Sequence, residues 1–457
     1  MEPRSDIVLV GAGPANIFLA LELLDRGVDP RRILLIDKGA SAFRRRCPAN
    51  EDGCLRGPAC AVINGFGGAG MFSDGKLEIV RHDTYAPRIY ADRVFDHLRR
   101  FGVGLMPQAE QDAYLATLER ARQVLAPVGL QIISGYIAQH IGTDRIKEIT
   151  RSIERHLVER GVGLLINQRV HRVTRDGDGY LVTASGHDGV SRYSARTVVA
   201  GIGKSAHYDF AGIFEGFSFG TTPWPPIFGV RYEFPRDVLR SISYGVLRDP
   251  LISFRTPSDD EITTFCVCYG GQVVPYSTGH FVILGGQSDS TGNSQNSNFG
   301  VLFVMNKVGV ASPADYVYHY AKAVEAVAGN KPVIQTYGDF AAGSTASSGG
   351  PHRTTIKYSE YFDLNLLLPA AVATRLRQLI ESLGRLDPRF VAPDNIVSMP
   401  VVEFITPELE VDRSFESRYS GLFFSGVTSG RATGIITAAA TGLVIAETLA
   451  AREGGTA

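Results

Sequence analysis

DIVLVGAGPANIFLALELLDRGVDPRRILLID, residues 6–37, reads as strand, helix and strand. The apolar run DIVLV predicts a strand buried on both faces. PANIFLALELLDRG carries apolar residues at helical spacing, with Pro14 and Ala15 in its first turn. RILLID predicts the second strand, so the unit is β-α-β. At the first turn, Gly11 and Gly13 stand where the first two glycines of G-x-G-x-x-G stand, with Asn16 in place of the third. The first glycine permits the tight turn, and the second lets the backbone approach a pyrophosphate. The helix N-terminus supplies free N–H groups and partial positive charge. Asp37 ends the second strand where an acid bonds a ribose diol, followed by Lys38. An acid there suits FAD or NAD better than NADP.

The C-terminal segment favours FAD. LFFSGVTSGRATGIITAAATG, residues 422–442, predicts a strand, a glycine loop and a helix aimed at the flavin. Gly426, Arg431, Thr433, Gly434 and Ile435 are its candidate contacts. Val427 stands where an aspartate would hold the ribityl chain; Thr428, Ser429 and Arg431 are the replacements at hand. VVAGIGKSA, residues 198–206, is followed by no β-α-β unit with a terminal acid. It is expected to re-enter the FAD-binding part, with Gly201 on the flavin side.

A second glycine cluster, GFGGAGMFSDGKL at residues 65–77, lacks the helix and strand that a phosphate loop needs. It is expected to form a third wall of the cofactor site. Gly68 and Gly75 would let the backbone run close, and Ser73 and Asp74 would supply a polar edge. Lys76 would favour the anionic reduced flavin. Of Arg44, Arg45 and Arg46, Arg46 is the candidate against the pyrophosphate or adenine. Val170, beyond the helix expected over 143–161 with Thr143 as its cap, completes the cofactor-binding set. Among acid–base candidates, Tyr269, Arg231 and His207 fall in the middle of the chain, and Lys76 and Tyr269 are the catalytic candidates.

The chain has 457 residues, long enough for two or three domains. Its net charge of −1 gives no reason to expect nucleic acid or an anionic membrane as partner. The apolar run GIITAAATGLVIAETLA reads as a buried helix, because it is alanine-rich and carries Thr437, Thr441 and Glu447. MEPRSDIVLV shows no signal-peptide pattern, and five cysteines make an odd count, so a cytoplasmic protein is expected. Cys47, Cys54 and Cys60 lack zinc-site spacing, and no metal is expected. Cys266 and Cys268, two apart on a predicted strand, read as small buried hydrophobes that do not easily form a disulfide, with a redox-active thiol as the alternative.

The resulting fold class is α/β, a Rossmann-like FAD-binding domain interrupted by an α+β substrate domain with a mostly antiparallel sheet. The expected boundaries are 1–90, 140–206 and 396–457 for the FAD-binding domain, 91–139 for a helical insertion and 207–395 for the substrate domain. Strands are expected at PIFGVRYEF, TTFCVCYGGQVV and HFVILGG, and helices at 313–328 and 369–383.

GFGGAGMFSDGKL, TTFCVCYGGQVV, GGQSDSTGNSQNSNFGVLF and VIQTYGDFAAGSTA resemble the uncharacterised FAD-dependent dehydrogenase family of bacteria, over nearly the whole chain. The resemblance implies a glutathione-reductase-type FAD fold and an oxidoreductase that moves a hydride between a small organic substrate and flavin N5. An external electron donor or acceptor (oxygen, NAD(P)H or a quinone) goes with that chemistry. Two alternatives stay open. The G-x-G-P-x-N form looks like the first fingerprint of flavin-dependent amine N-hydroxylases, which would make the protein a monooxygenase. The other is a FAD-holding RNA-modification or binding protein.

Overall fold

The computed structural model describes residues 6–47, 53–54, 56–57, 59–79, 88–134, 137–204, 208–225, 227–242, 247, 249–255, 261–305, 312–344, 352–403 and 406–454. Five parallel strands lie in the order Leu422–Phe424, Thr197–Ala200, Ile7–Val10, Ile33–Asp37, Gly163–Ile166. Every residue of Ile7–Val10 and Ile33–Asp37 is buried, as unbroken apolar strands in a covered parallel sheet require. Chain order runs outward from Ile7–Val10 to Gly163–Ile166 and then resumes on its other side at Thr197–Ala200. A crevice opens where that direction reverses, at the carboxyl ends of the strands.

Helix Pro14–Asp25 packs on helix Ile435–Gly454 at backbone contact: a Cβ on Gly442 would stand 2.0 Å from the Ala15 carbonyl oxygen. Ile435–Arg452 is long and apolar enough to cross a membrane, but here its apolar face packs into the core beside the first helix. Glu22, fully buried on Pro14–Asp25, accepts from Arg26 Nε at 2.7 Å and Arg93 Nε at 2.8 Å, and lies 2.8 Å from His97 Nε2. Glu22, Asp25 and His97 come within metal-ligand range of one another, yet Arg26, Arg93 and Arg100 already pair with their carboxylates.

The second large layer is an eight-stranded sheet. Its order is Glu360–Tyr361, Val333–Thr336, Ile396–Val402, Ile227–Pro235, Asn296–Val304, Glu261–Cys268, Ile252–Arg255, Gln131–Ile132, with all but the first pair antiparallel. Two expected boundaries shift. Ile396–Val402, expected to open the returning dinucleotide segment, lies inside this sheet between two of its strands. Its seven residues are all buried, so its apolar run is satisfied by either sheet and does not reveal which. Residues 131–132, expected in a helical insertion, form the sheet's far edge behind helices Arg88–Arg99 and Gln108–Leu125.

Helices Pro313–Ala328 and Ala370–Gly384 form at the expected positions. Arg169–Asp176, Gly179–Gly186 and Gly189–Ala195 make a three-stranded antiparallel sheet, joined first by the turn after Asp176. Helix Thr143–Glu159 starts one residue earlier than its expected cap implies. Gly142 is its N-cap, and the Thr143 hydroxyl is buried with no hydrogen-bond partner.

Candidate active site

Three stretches meet at the reversal point of the parallel sheet. Gly11, at φ +94°, donates its N–H to Ile36 O at 2.7 Å, and a Cβ there would stand 2.3 Å from Gly201 O. Gly201 N donates to Val10 O at 2.8 Å. Asn16 is fully buried across this junction. Its Nδ2 donates to Gly11 O at 2.8 Å and Val10 O at 3.1 Å, and its Oδ1 accepts from Ser425 Oγ at 2.8 Å. A Cβ on Gly201 would lie 2.9 Å from Asn16 Nδ2. The close packing that a third glycine would permit is achieved instead by a glycine on the facing strand, whose vacated space Asn16 fills with hydrogen bonds.

The outward side of the turn is open. No side chain caps helix Pro14–Asp25, and a Cβ on Gly13 would meet nothing within 4 Å. Free N–H groups beside open space are what a pyrophosphate needs. Asp37 accepts Ala12 N–H at Oδ2, and Gly39 and Gly65 N–H at Oδ1, each at 2.8 Å. A carboxylate has about four acceptor positions, so one remains for a ribose hydroxyl. Gly67 N donates to Ala12 O at 2.8 Å, and Gly68 lies so close that its Cβ would stand 2.9 Å from Gly13 Cα. The second glycine cluster therefore lies directly on the first, anchored by Asp37. These features fit FAD.

Beyond its glycines the same loop enters a buried charged cluster. Asp74, at φ +72°, is wholly buried. Its Oδ1 meets His140 Nε2 at 2.8 Å, Ser288 N at 2.7 Å and the Ser288 hydroxyl. Its Oδ2 meets Lys76 Nζ at 3.0 Å and Cys268 Sγ at 3.7 Å. Lys76 Nζ is also 3.8 Å from Asp249 Oδ1. Burial opposes the charge on Asp74, but Lys76, His140 and Ser288 outweigh it and hold the carboxyl well below the usual range. Burial likewise opposes the Lys76 charge, and Asp249 and Asp74 overcome it, leaving a firmly protonated ammonium. Asp249 is shifted the other way, upward by burial.

From the antiparallel sheet come Arg231, wholly buried on Ile227–Pro235, and Cys266 and Cys268 at the end of Glu261–Cys268. Arg231 donates to Asn298 Oδ1 and to Cys266 O. From the parallel sheet comes Lys204, four residues past Thr197–Ala200, paired to Glu403. About a third of the Lys204 side chain is open (34%), but desolvation lowers its ammonium to about 8 and the Cys266 sulfur lies within its electrostatic reach.

The structure separates the remaining candidates. Of the three arginines it is Arg45, not Arg46, that turns inward. Arg45 donates to the carbonyls of Ala61, Val62 and Phe66 and braces the glycine loop, whereas Arg46 is exposed. Arg431 is committed to Glu408 at 2.9 Å and to Val411 O. Ser73 Oγ closes its own turn onto Gly70 O, and Tyr269 turns away from the cluster to Arg240 and Asp237. A Cβ on Gly426 would stand 3.1 Å from Ala15 Cβ, and one on Gly70 would stand 3.5 Å from Ile435 Cγ1, so the C-terminal segment borders both glycine clusters. Gly434, at φ +89°, faces Glu78, with Thr433 beside it on the loop. Gly75 pairs by its carbonyl with Ile141 N. Val170 packs in the core beside the second strand, near Gln168 N, which donates to Asp37 O; Lys38 is half-buried next to it. His207 lies outside the described residues. His140, Asp249, Ser288 and Lys204 were missed. The usable signal was Arg231, a cation inside the apolar run IFGVRYEF, where an unpaired charge is not tolerated.

Residues 227–401 match the family described as FAD-dependent protein, C-terminal domain-like. An uncharacterized protein of Clostridium beijerinckii is 25% identical, over 98% of this chain and 81% of its own length. Among solved structures, OxyS anhydrotetracycline hydroxylase from Streptomyces rimosus aligns at 13% identity and TM-score 0.40, over 99% of this chain and 63% of that one. p-Nitrophenol 4-monooxygenase PnpA from Pseudomonas putida aligns at 16% and 0.43, over 99% and 82%. A flavoprotein/dehydrogenase from Cytophaga hutchinsonii aligns at 11% and 0.41, over 99% and 79%. The cofactor of this chain is FAD, and by that cofactor's chemistry it is a FAD-dependent oxidoreductase.

Proposed function

We propose that the protein moves a hydride between a small organic substrate and FAD, and that the substrate's proton is handled at the buried cluster around Lys76. In this reading residues 6–79, 140–204 and the segment from 406 onward form a glutathione-reductase-type FAD domain, interrupted by the antiparallel substrate layer. The observation that carries it is the course of one loop. Gly67 bonds the fingerprint turn, and nine residues later Lys76 sits between Asp74 and Asp249. FAD, when bound, supplies the two-electron acceptor or donor at N5. The chain supplies the rest. Gly13 and the helix start bind the pyrophosphate, and Asp37 takes the ribose. Lys76 Nζ holds a proton beside Asp249, 3.8 Å away. Asp74, Ser288 and Cys268 are buried and Lys76 and Asp249 nearly so, which keeps most water from the cluster.

The test is direct. Purified protein should carry one FAD per chain, and Lys76→Met should shift its reduction potential without removing the flavin. A colourless protein that takes up no FAD overturns the reading. Turnover under oxygen-18 separates the two reaction types: unlabelled product supports hydride transfer alone, and one labelled oxygen atom per product would instead assign a monooxygenase.

A further inference from the structure

Strand Glu261–Cys268 does not stay regular to its end. Its register against Asn296–Val304 slips between Phe265 and Cys268, and Cys266 takes φ +46°, a left-handed conformation rare for any residue but glycine. Side chains two apart on a regular strand share a face, but their Cα atoms stand about 6.6 Å apart, near the upper limit for a disulfide. The bulge removes that obstacle. Cys266 Sγ and Cys268 Sγ are in contact at 3.9 Å, and both thiols are free.

The surroundings are set for a thiolate. Arg231 is completely buried, and among the described residues it forms no ion pair with a carboxylate. Its Nη1 has no hydrogen-bond partner, and its Nη2 lies 3.8 Å from Cys268 Sγ. A buried guanidinium requires a counter-charge. Asp74 is already engaged by Lys76 and His140, which leaves sulfur as the nearest anion. Gly286 makes the arrangement possible, since a Cβ there would stand 2.2 Å from Arg231 Nη2 and 2.8 Å from Cys268 Sγ. A hydrogen bond from Cys268, with Lys76 and Arg231 nearby, pulls the Cys266 thiol well down, while burial pushes Cys268 up. The geometry agrees: Cys268 Sγ is placed to donate its proton to Asp74 Oδ2 at 3.7 Å and to Cys266 O at 3.3 Å, which leaves Cys266 as the sulfur that carries the charge.

Both walls of the cofactor edge border these sulfurs. Asp74 and Lys76 stand on the loop that lies on the fingerprint turn, and Lys204 follows a strand of the parallel sheet at its carboxyl end.

We propose that Cys266 and Cys268 form a reversible dithiol–disulfide pair that exchanges two electrons with bound FAD, Cys266 entering as the thiolate held by Arg231 and Lys76. On oxidation the Cys266 thiolate and the Cys268 thiol together lose two electrons and one proton, and one S–S bond forms. FAD takes the two electrons and the proton to become its anionic two-electron-reduced form, and the reverse step restores both. The exchange with FAD rests on the FAD reading above; the pairing of the thiols does not.

Anaerobic dithionite titration of the air-oxidised holoprotein tests it. Wild type should consume four electrons per FAD, two for the flavin and two for the disulfide, whereas Cys266→Ser and Cys268→Ser should each consume two. Peptide mapping of the same oxidised wild type, which needs no variant to fold, should find residues 266 and 268 in one peptide, 2 Da lighter than the dithiol and refractory to iodoacetamide until reduced. Two electrons per FAD with both thiols alkylated before reduction would overturn the proposal. A wild-type protein that shows the disulfide but holds no FAD would overturn the exchange with FAD and the preceding functional reading, and leave the pair standing.

Discussion

Gly13→Ala separates the fold from the cofactor site more cleanly than any other single change. The added methyl meets no protein atom within 4 Å, and Gly13 sits at φ −81° and ψ 175°, extended backbone that alanine adopts freely. The apoprotein should therefore keep its stability or gain slightly, since glycine-to-alanine at a compatible site contributes about 0.4–1 kcal/mol through the unfolded chain. The same methyl projects into the open space in front of the uncapped helix. If the pyrophosphate occupies that space, it is held off the helix N-terminus and loses at least one charge-assisted hydrogen bond, worth about 1.5–3 kcal/mol. FAD affinity then falls roughly 10- to 150-fold. The assay is titration of apoprotein with FAD, read by quenching of flavin fluorescence, beside thermal unfolding of the apoprotein. Gly104→Ala is the control, because its methyl also meets nothing but lies far along the chain at an exposed position outside any helix or strand. FAD affinity within twofold of wild type, with the apoprotein equally stable, would refute the placement. An apoprotein melting several degrees lower would refute the claim that the turn's outer face is open.

Three further outcomes are expected. Glu22 has its carboxyl lowered from 4.5 to about 2: burial opposes the charge, and His97, Arg93 and Arg26 outweigh it. Its contribution is fully present above pH 4.5 and lost as pH falls toward 2, so Glu22→Gln should flatten the acid limb of urea stability by roughly 3 kcal/mol; an unchanged limb would show that the pairs contribute nothing. Asn16→Gly, which restores the usual fingerprint residue, should destabilise the protein by roughly 2–4 kcal/mol in urea unfolding, because Ser425 and two carbonyls lose their buried partner; a variant as stable as wild type would contradict this. Gly286→Ala should cost about 1–3 kcal/mol through overpacking against Arg231. It should also move the pH profile of Cys266 alkylation upward; an unmoved profile would remove Arg231 as the thiolate's partner.

Local features were legible in the sequence, and long-range pairings were not. Residues 6–37 showed their strands and helix because apolar period and glycine position are set within a few residues. The glycine loop was legible as something pressed against backbone, and Asp74 and Lys76 as its polar end. What pressed against it was hidden, because Asp37 reaches Gly65 across 28 positions and Ser288 reaches Asp74 across 214. Arg46 was preferred over Arg45 because sequence does not say which way a tight turn faces. Ile396–Val402 was assigned to the other sheet because a strand buried on both faces shows no alternation to tell its neighbours apart. A disulfide between the two thiols was disfavoured on regular strand geometry, and a bulge that turns on one residue's φ leaves no periodic trace.

The position of the charged cluster follows from the topology. A reversal in strand order leaves a crevice at the carboxyl edge of the parallel sheet, and the chain closes it with the loop inserted after the second strand. That loop must approach the fingerprint turn at backbone distance, which Gly68 alone accommodates beside Gly13, at an entropic cost of roughly 0.5–1 kcal/mol. Asp37 offsets it by accepting from both backbones. From there the loop leaves along the pairing of Lys76 with His140, which brings Asp74 to Ser288 and the bulged end of Glu261–Cys268. The lysine, the two aspartates and the two thiols are therefore brought together by the same constraint that closes the cofactor crevice. A change that loosens Gly68 against Gly13 should disturb FAD affinity and Cys266 reactivity together, whereas a change at Arg231 should disturb only the second.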